Sequence, residues 1–113
     1  MENLSHTIYQ VIVYVPESHL EQVKSALFQA GAGRWGEYEK CCWSVKGEGQ
    51  FLPTLKADPF CGVKGQVSRV EEYRIEVLCQ AGHLKGALSQ MIEAHPYEEP
   101  AYFVFESHPL KKG

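Results

Sequence analysis

The sequence has no Cys-x-x-Cys pair, no apolar stretch long enough to cross a bilayer and no surplus of basic charge. Eleven Lys and Arg residues stand scattered against fourteen Asp and Glu, a net charge of -3 with a pI near 5.9. Nucleic acid is therefore not an expected partner, because phosphate neutralisation needs a cationic patch. The apolar run Val11 to Val15 is far below the roughly 20 residues of a membrane helix. Met1 to His6 carry no cationic leader region, so the expectation is a cytoplasmic protein with no membrane partner. Cys41, Cys42, Cys61 and Cys79 lack metal-site spacing, and adjacent Cys41 and Cys42 would point to opposite faces of a strand. Reduced thiols are expected.

Catalytic frames are missing as well. There is no G-x-S-x-G elbow, and no cysteine sits in a Cys/His frame. His6, His19, His83 and His108 show no H-x-x-x-H spacing, so each reads as a surface residue. Glu71, Glu72 and Glu76 lie along one strand pattern, where a solvated face accounts for them better than an acid and base pair. No catalytic residue is assigned.

What is present is an ordinary globular composition, 44% hydrophobic and 22% charged, over 113 residues. That length predicts one domain over 1–113, with a core at about 7–106 and a polar, frayed tail over 107–113. Thr7 to Val15 is β-branched and apolar on both faces, the pattern of a central strand. Ser18-His19-Leu20-Glu21 has the form of a capping box, followed by an apolar stripe of Leu20, Val23, Leu27 and Ala30 that Gly31 terminates. Tyr38 to Lys46 reads as a second strand broken by Gly47 and Gly49, with Cys41, Trp43 and Val45 on one side. Gln50 to Lys64 is a long excursion with room for a short extra strand.

Tyr73, Ile75, Val77 and Cys79 alternate with polar residues in a third strand, which Gly82 ends. Leu84, Ala87, Leu88, Met91 and Ile92 then follow the spacing of an amphipathic helix closed by Pro96, and Ala101 to Glu106 forms a last strand. The order β, α, β, β, α, β predicts the α+β ferredoxin-like sandwich, with two helices on one face of an antiparallel sheet. Tyr9, Tyr14, Trp43 and Tyr102 cannot all face the helices, so the second sheet face calls for cover in a symmetric oligomer.

Two motifs attract functional readings. Gly31-Ala32-Gly33-Arg34-Trp35-Gly36 matches G-x-G-x-x-G, but it follows a helix and precedes a strand, the reverse of a dinucleotide site. A helix cap and tight turn explain it; the alternative is an anion held by backbone amides and Arg34. His95-Pro96-Tyr97-Glu98-Glu99-Pro100 places an imidazole and two carboxylates at a helix exit. A rigid helix-to-strand turn and a metal-ligand site are both readings of it.

Together, Gly31-x-Gly33-x-x-Gly36-x-Tyr38-x-x-Cys41, Gly47-x-Gly49-x-Phe51-x-Pro53, Pro59-Phe60-x-Gly62, Glu72-x-Arg74-x-Glu76 and Ala94-His95-Pro96-Tyr97-Glu98-Glu99-Pro100-Ala101-Tyr102 resemble the insert domain of the YqfO branch of the Nif-three family. The resemblance runs from about Tyr9 to Phe105. It implies a fold like that of the PII signalling and CutA proteins, which tend to form trimers. The family's dinuclear metal centre belongs to a core domain whose ligand segments have no counterpart here, so the resemblance brings no hydrolase activity with it. It implies a non-catalytic, homo-oligomeric module, expected as a trimer, holding a small ligand near Gly31, Gly33, Arg34, Gly36 and Tyr38. The rival expectations are a divalent-metal binder using His95, Glu98, Glu99 and Cys41, a hydrolase of a phosphorylated small molecule, and a domain that docks on a larger protein.

Overall fold

In the computed structural model, which describes residues 7–108, the chain builds six regular elements in the expected order. Strand β1 (Ile8–Pro16) leads through a short 3₁₀ turn (Glu17–His19) into helix α1 (Leu20–Gln29). Strands β2 (Trp43–Phe51) and β3 (Ser68–Gln80) follow, then helix α2 (Ala81–Ala94) and strand β4 (Tyr102–Ser107). The sheet order is β2-β3-β1-β4 with every neighbouring pair antiparallel, the ferredoxin-like topology.

Period-two alternation decides which residues enter the core. Val11, Val13 and Val15 on β1 stand opposite Val77, Ile75 and Tyr73 on β3, and all six point to the helices. Val23 and Leu27 of α1 and Ala87 and Met91 of α2 close over them without solvent exposure. Tyr102 and Val104 of β4 pack at the margin of this cluster.

Helix α1 ends in a Schellman motif. The Gly31 amide donates to Phe28 O (3.0 Å) and the Ala32 amide to Leu27 O (3.0 Å), with Gly31 at a φ of 105°. A β-carbon there would meet the His83 ring at 2.8 Å, so conformation and space both demand glycine.

Several sequence expectations need correction. Ser18 does not cap α1: the 3₁₀ turn after Pro16 draws it inside a turn, and its hydroxyl contacts His19 Nδ1 at 2.9 Å. Strand β2 starts at Trp43 and runs through Gly47 and Gly49 instead of breaking there. Those glycines sit opposite Glu72 and Val70 in register, where ladder hydrogen bonds outweigh the low strand propensity of glycine. The excursion over 52–67 contains no extra strand, and Gly82 lies inside α2 rather than ending β3. His6 and the tail over 109–113 lie outside the described residues.

The open face of the sheet carries Trp43 and Val45 on one edge strand and Phe103 and Phe105 on the other. Trp43 is 58% exposed, and the two phenylalanines are 53% exposed each. Between them lie Tyr14, stacked edge-on against Phe103, and an ion pair from Arg74 to Glu76 at 3.1 Å. Of the four aromatics in question, Tyr14 and Trp43 face this side, while Tyr9 and Tyr102 follow the helix-facing parity. Beyond Pro16, residues Ser68 to Glu71 pair with β2 alone, so the β2–β3 ribbon projects past the sheet.

Truncating Leu27 to Ala should remove about 2–5 kcal/mol of stability, read as a lower urea midpoint. Ile92→Ala on the half-exposed side of α2 should cost about 1 kcal/mol or less.

Candidate ligand cavity between the long loop and the helix exit

The residues after α2 cannot continue the helix, because Pro96 disfavours helical geometry at His95, which adopts φ -78° and ψ 137°. This turn carries the His95 ring inward until it is 6% exposed. Its Nε2 lies 2.7 Å from the Tyr14 carbonyl, and its Nδ1 accepts from the Tyr97 amide at 3.2 Å. A carbonyl only accepts, so Nε2 carries the proton and the ring is the neutral Nε2–H tautomer. Burial pushes its pKa below the usual histidine value, against the opposing pull of the Tyr14 carbonyl and the Glu72 carboxylate.

With His95 seated, Tyr97 and Glu98 are aimed at the β2–β3 ribbon and its loop. The Tyr97 hydroxyl donates to Glu72 Oε2 at 2.7 Å, and the Asp58 amide donates to Glu98 Oε1 at 2.9 Å. Burial, reinforced by the Glu72 hydrogen bond, drives the Tyr97 phenol well above its ordinary pKa, so it stays a donor. The Phe60 ring bridges this turn to the start of α1, with centroids 6.2 Å from Tyr97 and 5.4 Å from His19.

These contacts line a half-open cavity of about 400 Å³. Phe51, Leu52, Pro53 and Phe60 form apolar wall, and Glu72, Glu98 and Glu99 supply the charge. Gly49 belongs to this construction, because a β-carbon at that position would collide with the Glu72 carboxylate.

The predicted site residues are distributed differently. Gly31, Gly33, Arg34, Gly36 and Tyr38 lie at the far end of α1, beside the start of β2. The Gly31 and Gly33 amides are engaged by Phe28 O and Leu78 O, so the loop presents no free cradle at those two positions. Trp35 and Tyr38 exchange backbone hydrogen bonds of 2.9 Å across Gly36, which leaves Tyr38 71% exposed at a hairpin tip. Arg34 shares a separate cleft of about 350 Å³ with Glu21, Lys24, Phe28, Glu39 and Lys40.

Nor does the structure gather His95, Glu98, Glu99 and Cys41. Cys41 is held near Gly33 by a 2.7 Å backbone bond, both nitrogens of His95 are engaged, and Glu98 faces the Asp58 amide. Among the described residues no group of three His, Cys, Asp or Glu side chains is placed to hold a metal ion. All four cysteines are free thiols, and burial raises the pKa of Cys42 and Cys79, which favours the protonated form. Glu72, Tyr97, Phe51 and Phe60 escaped sequence reasoning as site residues. The available signal was the length of the loop between β2 and β3, since long ordered loops are disproportionately functional.

No protein-family model matches the chain. Relatives named GTP cyclohydrolase 1 type 2 homolog are 47% identical over 98 residues in Mycobacterium leprae, covering 87% of this chain and 26% of the relative. The relative of that name in Bacillus subtilis is 42% identical over 106 residues, covering 92% of this chain and 28% of its own length. A Bacillus cereus protein related to NIF3 superposes with a TM-score of 0.79 at 39% identity, over 92% of this chain and 26% of that one. The chain is a homologue of one domain of the NIF3-related proteins. It spans about a quarter of the length of these relatives. CutA from Archaeoglobus fulgidus (TM-score 0.62, 13% identity, 94% of this chain and 86% of that one) shares the fold of this NIF3-related domain. So does Bacillus subtilis GlnK (TM-score 0.59, 16% identity, 89% and 85%). Among the described residues no helix is long and apolar enough to cross a membrane.

The depressed histidine pKa makes stability depend on pH with a definite sign. Between the ordinary value near 6.5 and the lower folded value, the unfolded chain binds more protons, so stability falls as pH drops through that window. Urea midpoints should therefore decline from pH 7.5 to pH 5.5, and His95→Gln should flatten the decline. An unchanged slope in the variant counts against the neutral, hydrogen-bonded ring.

Proposed function

We propose that this chain is a non-catalytic binding and assembly module that forms a homotrimer and serves the longer NIF3-related proteins, or partners like them, as a regulatory element. One observation carries the reading: the open sheet face presents Trp43, Val45, Phe103 and Phe105 to solvent, on the side opposite the helices. Burying a large apolar side chain contributes about 1.5–3 kcal/mol, and so broad an aromatic face is unusual on a monomer. Trp43 and Val45 belong to one sheet edge and Phe103 and Phe105 to the other. One copy's β4 edge can thus meet the next copy's β2 edge, a heterologous contact of the kind that builds a ring when the rotation between copies closes. The resemblance to PII and CutA, whose members tend to form trimers, favours three copies.

The engagement of the carboxylates in structural contacts favours the non-catalytic half of the proposal. Glu72 and Glu98 are engaged by the Tyr97 hydroxyl and the Asp58 amide, and Glu76 pairs with Arg74.

Light scattering of the purified chain at micromolar concentration should give three times 12.8 kDa. A mass of 12.8 kDa there ends the assembly reading. The double variant Phe103→Glu with Phe105→Glu should run as a folded monomer, with an unchanged far-ultraviolet circular dichroism spectrum.

A further inference from the structure

We propose that the cavity between the β2–β3 loop and the turn after α2 binds a small organic cation, an ammonium group carried on an aromatic or aliphatic body. This deepens the binding-module reading and rests on it only in taking the chain to hold a ligand; the cavity forms within one chain, so it does not require the trimer.

The lining decides the sign of the ligand. Glu72, Glu98 and Glu99 contribute three carboxylates, and among the described residues no Lys, Arg or His lines the cavity. Glu72 commits Oε2 to the Tyr97 hydroxyl and Glu98 commits Oε1 to the Asp58 amide. Among the described residues the second oxygen of each has no hydrogen-bond donor, and negative charges lining one cavity favour a cation.

The walls decide the rest of the chemistry. Phe51, Phe60 and Tyr97 offer three aromatic rings around those carboxylates, and a ring face attracts an ammonium most strongly where water is displaced. A bare divalent ion would instead call for several ligands converging on one point, and among the described residues no group of three His, Cys, Asp or Glu side chains is so placed. The volume of about 400 Å³ lies within the range of small-molecule sites, which accommodates an organic body beside the charge.

The site is also built rather than incidental. Gly49 leaves the space that the Glu72 carboxylate occupies, and a β-carbon on Gly62 would press on the Phe51 ring at 3.1 Å. Glu72 and Tyr97, 25 residues apart in sequence, fix each other before any ligand arrives.

The test uses the full chain and three probes of one shape: 2-phenylethylammonium, neutral 2-phenylethanol and anionic phenylacetate. Titrations followed by amide NMR shifts should show the cation binding with perturbations centred on Phe51, Phe60, Glu72 and Tyr97. The alcohol should bind at least about tenfold more weakly, and the acid not at all. Glu72→Gln, whose amide oxygen still accepts from Tyr97, and Glu99→Gln should each weaken the cation about tenfold while keeping the thermal midpoint.

Equal affinity for cation and alcohol overturns the proposal, as do shifts that map elsewhere or no saturation by about 10 mM cation. Light scattering on the same samples separates the two readings, since a cavity that ignores cations in an intact trimer condemns the ligand and spares the assembly.

Discussion

The hydrogen bond between the buried His95 ring and the Tyr14 carbonyl is the contact on which the rest of the cavity depends. It ties the exit of α2 to a central strand and orients the opposite nitrogen to receive the Tyr97 amide. From there the dependence runs outward: Tyr97 holds Glu72, Glu98 holds the Asp58 amide, and the loop folds back against the turn. Burial of a histidine normally penalises its charged form, and here that penalty is put to structural use, because only the neutral ring can donate at one nitrogen while accepting at the other.

The layered fold was legible because local patterns agree with one another. The helical spacing of Leu84, Ala87, Leu88 and Met91 and the alternation of Tyr73, Ile75, Val77 and Cys79 both report a face buried against the same core. Gly31 was readable as a cap because a left-handed position at a helix end has few occupants. Strand β2 was less legible, since the β3 ladder decides whether Gly47 and Gly49 stay in a strand, and that partner lies on the far side of a long loop.

The cavity was largely hidden for the same reason on a longer scale. The His95 to Glu99 turn stood out as a dense polar motif that read as a rigid turn or a metal site, while its contacts are made by Tyr14, Asp58 and Glu72, between 25 and 81 residues away. Hydrogen-bond accounting separates the two: an imidazole whose nitrogens are both engaged by backbone has no lone pair left for a metal. The glycine motif shows the converse, a sequence that resembles a phosphate loop whose Gly31 and Gly33 amides are already occupied by carbonyls of the fold.

Strand β3 connects the two surfaces for which a function is proposed. Glu72 reaches the cavity, while Arg74 and Glu76, on the same face of the strand, pair at the centre of the open sheet. The described ends of the fold also meet, with Ile8 opposite Ser107 in the sheet. A domain whose ends are neighbours can be carried within a longer chain with little distortion of its host, and NIF3-related relatives about four times its length contain its homologue. In such a setting the helices can bury their own core, the exposed sheet face offers the surface for the proposed contacts between copies, and the cavity lies at the end of β1 away from Ile8 and Ser107. The helix-facing side of the strands thus carries the core, while the proposed assembly surface and ligand pocket share the opposite side at different points along β3.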